Sequence, residues 1–236
     1  MFINCVAAAA KYPRPFFPLC AILDADAAAR AGWTLVDLAA ACVRGGARFL
    51  QVRAKAASGA WLLNTTSDIV ALAHAQGASV IVNDRADVAR LAGADGVHVG
   101  QEDLPPAAVR SIVGTDRLVG ISTHTIEQID AAVRGPVDYI AIGPVFGTST
   151  KSTGYEAVGL ERVRDAARAA GGRGLPCVAI GGITLDRAAD AIEAGASSVA
   201  VISDLLSTGD PEARVREYLR RLATYVPAFQ PDQRNV

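Results

Sequence analysis

The sequence has little of what marks a secreted, membrane-spanning or nucleic-acid-binding protein. Its four cysteines are Cys5, Cys20, Cys42 and Cys177, and no pair has a CxxC or zinc-ligand spacing. Cys20 and Cys177 fall in expected strands and Cys42 in an expected helix, so they read as small buried hydrophobes in a reducing cytoplasm. No apolar run approaches the roughly 20 residues of a membrane span. Met1–Ala10 is apolar but has no basic region ahead of it, which argues against a secretory signal. Neither charge is in excess. A net charge of -1 excludes a general attraction to nucleic acid or membrane, while allowing a local basic pocket. The GxGxxG fingerprint, the Walker motif and the GxSxG elbow are all missing.

What is present is globular: 51% apolar and 20% charged residues over 236 positions, enough for one sizeable core. Pro13, Pro15 and Pro18 break regular structure in an extension over residues 1–18. From there the pattern alternates. Short β-branched or apolar runs predict strands at Leu19–Leu23, Arg48–Val52, Ser79–Val82, Gly96–Val99, Leu118–Ile121, Tyr139–Ile142, Cys177–Ile180 and Ser198–Ile202. Helices are expected at Thr34–Arg44, Trp61–Gln76, Arg85–Ala92, Pro105–Val113, Ile126–Val133, Leu160–Ala170, Leu185–Ala194 and Pro211–Tyr225. Asp210-Pro211 and Thr184 supply N-caps, and glycines after Arg44, Gln76 and Ala194 stop their helices. Eight strand–helix pairs predict an α/β protein built as a single (β/α)8 TIM barrel over residues 19–225, with a loose tail at 226–236. The alternative architecture is an open doubly wound sheet.

Strand ends converge on one face of such a barrel, so the polar clusters that follow the strands would share a pocket. Arg53 and Lys55 lie two apart and project to one side of an extended end, a sensible grip for phosphoryl oxygens. Gln51 sits one step deeper, where an amide can read a heterocycle's edge. In isolation these residues read as a solvated charge pair at a loop; with the other clusters beside them, the functional reading is preferred. Asp84 and Asp103 close neighbouring strands and would supply the one or two carboxylates that Mg²⁺ takes beside phosphate oxygens; for each, capping the following helix is the plain alternative. Asn83 could orient either a ligand or the turn, and Glu102 reads as surface or as support behind the ligand-holding residues. Thr148, Ser149, Thr150 and Lys151 could present hydroxyls, amides and a cation to one anion, or form a polar loop. Gly181-Gly182 and Ile202-Ser203-Asp204 follow the seventh and eighth strands, where many barrels hold a phosphate on backbone amides. Ser122 reads as a ligand hydrogen-bonder, His124 as a loop residue near the site, His98 as a hydrogen-bonded group inside the barrel and His74 as structural. Trp33 and Trp61 are expected to pack helices.

Taken in order, Gln51–Lys55, Val82-Asn83-Asp84, Ala94–Asp103, Gly120–Thr125, Gly143–Lys151 and Ile180–Thr184 resemble the thiamine-phosphate synthase family, and the similarity spans Leu19 to Tyr225. The resemblance implies the (β/α)8 fold and the coupling of 4-amino-5-hydroxymethyl-2-methylpyrimidine diphosphate to 4-methyl-5-(2-phosphoethyl)thiazole, with release of pyrophosphate. It implies Mg²⁺ on Asp84 and Asp103. Gln51, Arg53, Lys55, Asn83 and Ser122 would bind the pyrimidine diphosphate, with Lys151 approaching the pyrophosphate. Thr148, Ser149, Thr150, Gly181, Ile202 and Ser203 would hold the thiazole phosphate. Arg53, Lys55, Ser122 and Lys151 would be the catalytic set, acting on a leaving group that departs before the thiazole nitrogen attacks. The partners are small molecules, and a homo-oligomer is compatible with this reading. The first strand ends Leu23-Asp24 where the family more often has Thr-Asp.

Three rivals remain at this level. A thiazole tautomerase on the same barrel would use His124 and need no metal. A non-catalytic sensor of thiazole or thiamine phosphate needs no metal set at all. A sugar-phosphate isomerase would share only the phosphate end.

Overall fold

The computed structural model describes residues 17–147 and 155–225. The strands are β1 (Leu19–Asp24), β2 (Phe49–Arg53), β3 (Ser79–Asn83), β4 (Gly96–Val99), β5 (Leu118–Thr123), β6 (Tyr139–Ile142), β7 (Cys177–Ile180) and β8 (Ser198–Val201). All pair in parallel in chain order, and β8 returns to β1 to close the barrel. Around them run α1 (Ala25–Arg30), α2 (Leu35–Arg44), α3 (Gly59–His74), α4 (Ala86–Leu91), α5 (Pro106–Val113), α6 (Ile126–Arg134), α7 (Gly159–Gly171), α8 (Leu185–Glu193) and α9 (Pro211–Leu222), with a 3-10 turn at Ser203–Leu206. The closed barrel replaces the open-sheet alternative. Residues 1–16 and 226–236, the bulk of the expected extension and tail, lie outside the described residues.

Period-two alternation divides the core. Cys20, Ile22, Phe49, Ile81, Leu118, Tyr139, Val178 and Ala200 fill the barrel interior. Their neighbours along the strands, such as Ala21, Leu50, Val80 and Val97, pack outward against the helices. Truncating a buried isoleucine such as Ile81 to Ala costs about 2–5 kcal/mol. Gly120 makes room inside: a Cβ there would lie 2.0 Å from Cζ of Tyr139. That ring fills the space, lies 5.5 Å from the His98 ring at 26° and meets Phe49 edge-on at 6.0 Å.

At the other end of the barrel, aspartates tie one strand to the previous one. The Asp138 carboxylate accepts the Val119 N–H at 2.7 Å and pairs with Arg110. Asp95 accepts the Val80 N–H at 2.7 Å and holds Nε2 of His74 at 2.9 Å, so His74 is structural as expected. Burial pushes the Cys42 and Cys177 thiols up to about 12. Trp33 packs against the core, whereas Trp61 is 44% exposed in the first turn of α3 and does not pack as expected.

Three details differ from the sequence reading, each for a local reason. Asp24 accepts the Ala27 N–H at 2.9 Å and starts the unexpected six-residue α1, too short and alanine-rich to show a periodic face. Neither Asp84 nor Asp103 caps the helix after it: Arg85 and Pro105 occupy those N-cap positions, with no side-chain cap bond. Thr184 stands at the N-cap of α8 without bonding through its side chain; the Leu185 N–H donates instead to Oδ2 of Asp204 at 3.2 Å. Asp210 does cap α9, accepting the Ala213 N–H at 2.9 Å ahead of Pro211.

Candidate active site

Extending the interior alternation to the C-terminal strand ends turns apolar positions into polar ones. Ile22 gives way to Asp24 on β1, Phe49 to Gln51 and Arg53 on β2, Ile81 to Asn83 on β3, and Leu118 to Ser122 on β5, with His98 beside Asn83 on β4. Gln51, Arg53, Asn83, His98 and Ser122 of this set line a cavity of about 310 Å³. Gln51, Arg53, Lys55, Asn83, Asp84, Asp103, Ser122, Gly181, Ile202 and Ser203 all line it. Thr148, Ser149, Thr150 and Lys151 lie outside the described residues.

On the first wall, Asp24 and Arg53 are register partners at the ends of β1 and β2, and their side chains form an ion pair. Both are largely buried, at 5% and 14% side-chain exposure. Gln51 is buried below them, and its Oε1 has no hydrogen-bond partner among the described residues. An unmet buried acceptor costs about 1–3 kcal/mol, and a donor on a bound heterocycle would satisfy it. Lys55 is more exposed, and its Nζ lies 3.4 Å from Oδ2 of Asp84.

Asp84 adopts φ 63°, alone among the non-glycine described residues in having a positive φ. The Arg85 N–H donates to the Asn83 carbonyl at 2.8 Å across it, and its own N–H donates to the His98 carbonyl at 2.8 Å. This tight i to i+2 turn is a strained geometry of the kind that concentrates at functional sites. Asp103 accepts the Gly100 N–H through Oδ2 at 2.8 Å and faces Asp84. Burial raises the Asp84 carboxyl above the ordinary range first, and the facing Asp103 carboxyl adds to that; Lys55 opposes it. Two carboxyls forced together beside a partly exposed lysine form a site with unmet demand for positive charge.

On the opposite wall, Oγ of Ser122 lies 2.8 Å from Nε2 of His98, whose Nδ1 lies 3.0 Å from the Tyr139 hydroxyl. Ser122 is thus paired with His98 rather than His124. The His124 N–H donates to Oε1 of Gln128 at 2.8 Å, and its Nδ1–H donates to the Gly143 carbonyl. Its ring stacks on Tyr155 at 3.8 Å and 13°. Burial lowers the His124 pKa, partly offset by the Gly143 carbonyl. Tyr155 lines the cavity and escaped the sequence reading, because it does not follow its strand directly; Pro144, within the Gly143–Lys151 run, lines it too. His98 also lines it, and its alternation with Val97 and Val99 already pointed inward. Glu102, read as surface or as support behind the ligand-holding residues, lies on the cavity wall.

The far end is mostly backbone. The Val145 and Phe146 N–H groups donate to the Ile180 and Gly181 carbonyls at 2.8 and 3.0 Å, laying the chain after β6 against the end of β7. Gly181 and Gly182 have φ of 99° and 62°, and a Cβ would meet Pro144 Cα at 2.5 Å or the Gly147 carbonyl oxygen at 2.6 Å. Only glycine serves at both positions. Ile202 and Ser203 complete this end beside Gly181 and Ile183.

The chain as a whole has counterparts among known proteins. The family model described as thiamine monophosphate synthase matches residues 19–205. The thiamine-phosphate synthase of Koribacter versatilis is 42% identical over 219 residues, covering 92% of this chain and 99% of that protein. That of Roseiflexus castenholzii is 41% identical over 183 residues, covering 78% and 79%. A solved thiamine phosphate pyrophosphorylase from Pyrococcus furiosus superposes with a TM-score of 0.80 at 28% identity, covering 89% of this chain and 96% of that one. The chain belongs to the thiamine-phosphate synthase family of enzymes, transferases of thiamine biosynthesis.

Proposed function

We propose that the cavity joins 4-amino-5-hydroxymethyl-2-methylpyrimidine diphosphate to 4-methyl-5-(2-phosphoethyl)thiazole, yielding thiamine phosphate and pyrophosphate. One observation carries this reading: a cation-and-carboxylate wall from β2–β4 and a backbone-lined end from β7–β8 face the same cavity. Two substrates, each with an anionic group, call for two separate anion grips.

Arg53 and Lys55 hold the diphosphate oxygens, and Lys151 is assigned to the same group. Gln51 Oε1 accepts from the pyrimidine amino group, which supplies the donor it lacks. Asn83 and the Ser122 hydroxyl hold the pyrimidine diphosphate, the latter oriented by His98. Thr148, Ser149, Thr150, Gly181, Ile202 and Ser203 take the thiazole phosphate. Asp84 and Asp103 fit a Mg²⁺ ion: their carboxyls face each other, burial and the facing Asp103 carboxyl raise the Asp84 pKa, and such an ion needs one or two carboxylates rather than a protein cage. Among the described residues no group of three or more His, Cys, Asp or Glu forms such a cage. When bound, Mg²⁺ would neutralise charge on the departing pyrophosphate.

The bond from the pyrimidine methylene to oxygen breaks with its electron pair leaving on pyrophosphate. The neutral thiazole nitrogen then gives its lone pair to that carbon, so no side chain has to remove a proton. What the residues supply is charge, alignment and exclusion of water. The tautomerase and sensor readings gain no support from the relatives. Cys20, Cys42 and Cys177 are buried thiols, which supports a reducing cytoplasm; among the described residues no helix is long and apolar enough to cross a membrane.

The test is product formation by purified protein given both substrates, with Mg²⁺ and then with excess EDTA. Metal-dependent thiamine phosphate and pyrophosphate are expected. Intact thiazole-phosphate binding without product would overturn the proposal.

A further inference from the structure

One carboxylate oxygen behind the cavity gathers four donors from two elements, α8 and α9. Oδ2 of Asp204 accepts from the Leu185 N–H at the start of α8 at 3.2 Å, from Nε and Nη2 of Arg214 on α9 at 3.2 and 2.9 Å, and from the Tyr218 hydroxyl at 2.5 Å. Arg214 is further fixed by Glu217 at 2.8 Å, and its guanidinium lies 5.7 Å from the Tyr218 ring centre. Asp204 and Arg214 are 12% and 16% exposed, so the cluster is largely shielded from water.

Asp204 follows Ser203 directly, and Leu185 follows the run Gly181–Thr184. The two loops at the backbone-lined end of the cavity are therefore fastened to each other, and to α9, through a single atom. We propose that Asp204 is a positioning residue that sets the spacing of this anion-binding end without touching the substrate. The proposal rests on the reading that thiazole phosphate lies against Gly181, Ile202 and Ser203. An amide at 204 keeps the shape and one acceptor but loses the charge opposite Arg214, so the two loops can drift apart.

Asp204→Asn is tested by steady-state kinetics for each substrate and by calorimetric titration with thiazole phosphate and, separately, pyrimidine diphosphate. Asp204→Asn should raise the KM and Kd for thiazole phosphate about tenfold or more while moving kcat and the pyrimidine values less than about threefold. Tyr218→Phe removes one donor and leaves the ion pair. It should shift the same constants in the same direction by about threefold, and it stands in if the first variant does not fold. Equal losses for both substrates, or unchanged thiazole-phosphate constants, overturn the proposal. Ser203→Leu, which fills this end of the cavity, separates the two ideas. If it leaves thiazole-phosphate binding intact, the underlying reading falls and Asp204's role with it. If it abolishes binding while Asp204→Asn and Tyr218→Phe are silent, only the positioning role falls.

Discussion

Asp24 and Arg53 occupy paired register positions on adjacent strands, and the carboxylate holds the guanidinium while also capping α1. The cation proposed to grip the diphosphate is therefore anchored by the fold itself. Removing one partner of a largely buried pair costs about 3–5 kcal/mol, because the other is left uncompensated. Asp24→Asn should lower stability by something in that range and raise the KM for pyrimidine diphosphate. The double variant Asp24→Asn with Arg53→Gln should recover part of the stability and none of the activity. Urea midpoints and kinetics on the three variants form the cycle, and additive stability losses would contradict the pairing.

Asp84 should behave as a residue kept at a cost. Its folded-state carboxyl pKa is raised, so its stabilising contribution is present below the unfolded value of about 3.9 and is lost as pH rises through the folded value. At neutral pH without metal, Asp84→Asn should therefore stabilise the protein, by about 0.5–2 kcal/mol, while abolishing turnover. Asparagine tolerates the left-handed backbone at this position; alanine does not, and Asp84→Ala should be about 1 kcal/mol less stable than Asp84→Asn. Urea midpoints in EDTA decide between the two.

Gln51 should show a similar trade. Leucine has nearly the same volume and no unmet acceptor, so Gln51→Leu should hold or raise the melting temperature, by about 1 kcal/mol of stability. The KM for pyrimidine diphosphate should rise about tenfold or more, since the reading amide is gone. A variant that binds the pyrimidine normally would remove Gln51 from the site.

His124 gives a pH signature. Its pKa is lowered in the fold, so stability is full above the unfolded value of about 6.5 and declines as pH falls from there towards the folded value. His124→Gln should flatten the slope of stability against pH between about 6.5 and the acid limb, whatever it does to the absolute value. Urea midpoints at several pH values compare the two slopes directly.

The barrel was legible because buried parallel strands are short, apolar and flanked by helical periodicity, and every expected strand is present within a residue or two. The β2–β4 wall was legible because its polar residues follow their strands directly, where chain order and space agree. Tyr155 was not, since it reaches His124 across the loop after β6 and nothing in its neighbours signals that stack. Thr184 misled in the opposite sense: a hydroxyl at a helix start reads as a cap, yet the bond comes from Asp204, which only the closed barrel brings near. The γ-turn at Asp84 likewise has no local marker, because aspartate at that spacing reads equally well as a cap.

The missing side chain at Gly120 reaches beyond packing. Any larger residue there must displace the Tyr139 ring, and a smaller residue at 139 would delete the hydroxyl that meets Nδ1 of His98. These positions are thus coupled: neither can change alone without disturbing the imidazole that orients Ser122. A substitution that looks like a volume swap deep in the barrel becomes, two contacts later, a change in how the Ser122 hydroxyl is held at the cavity wall.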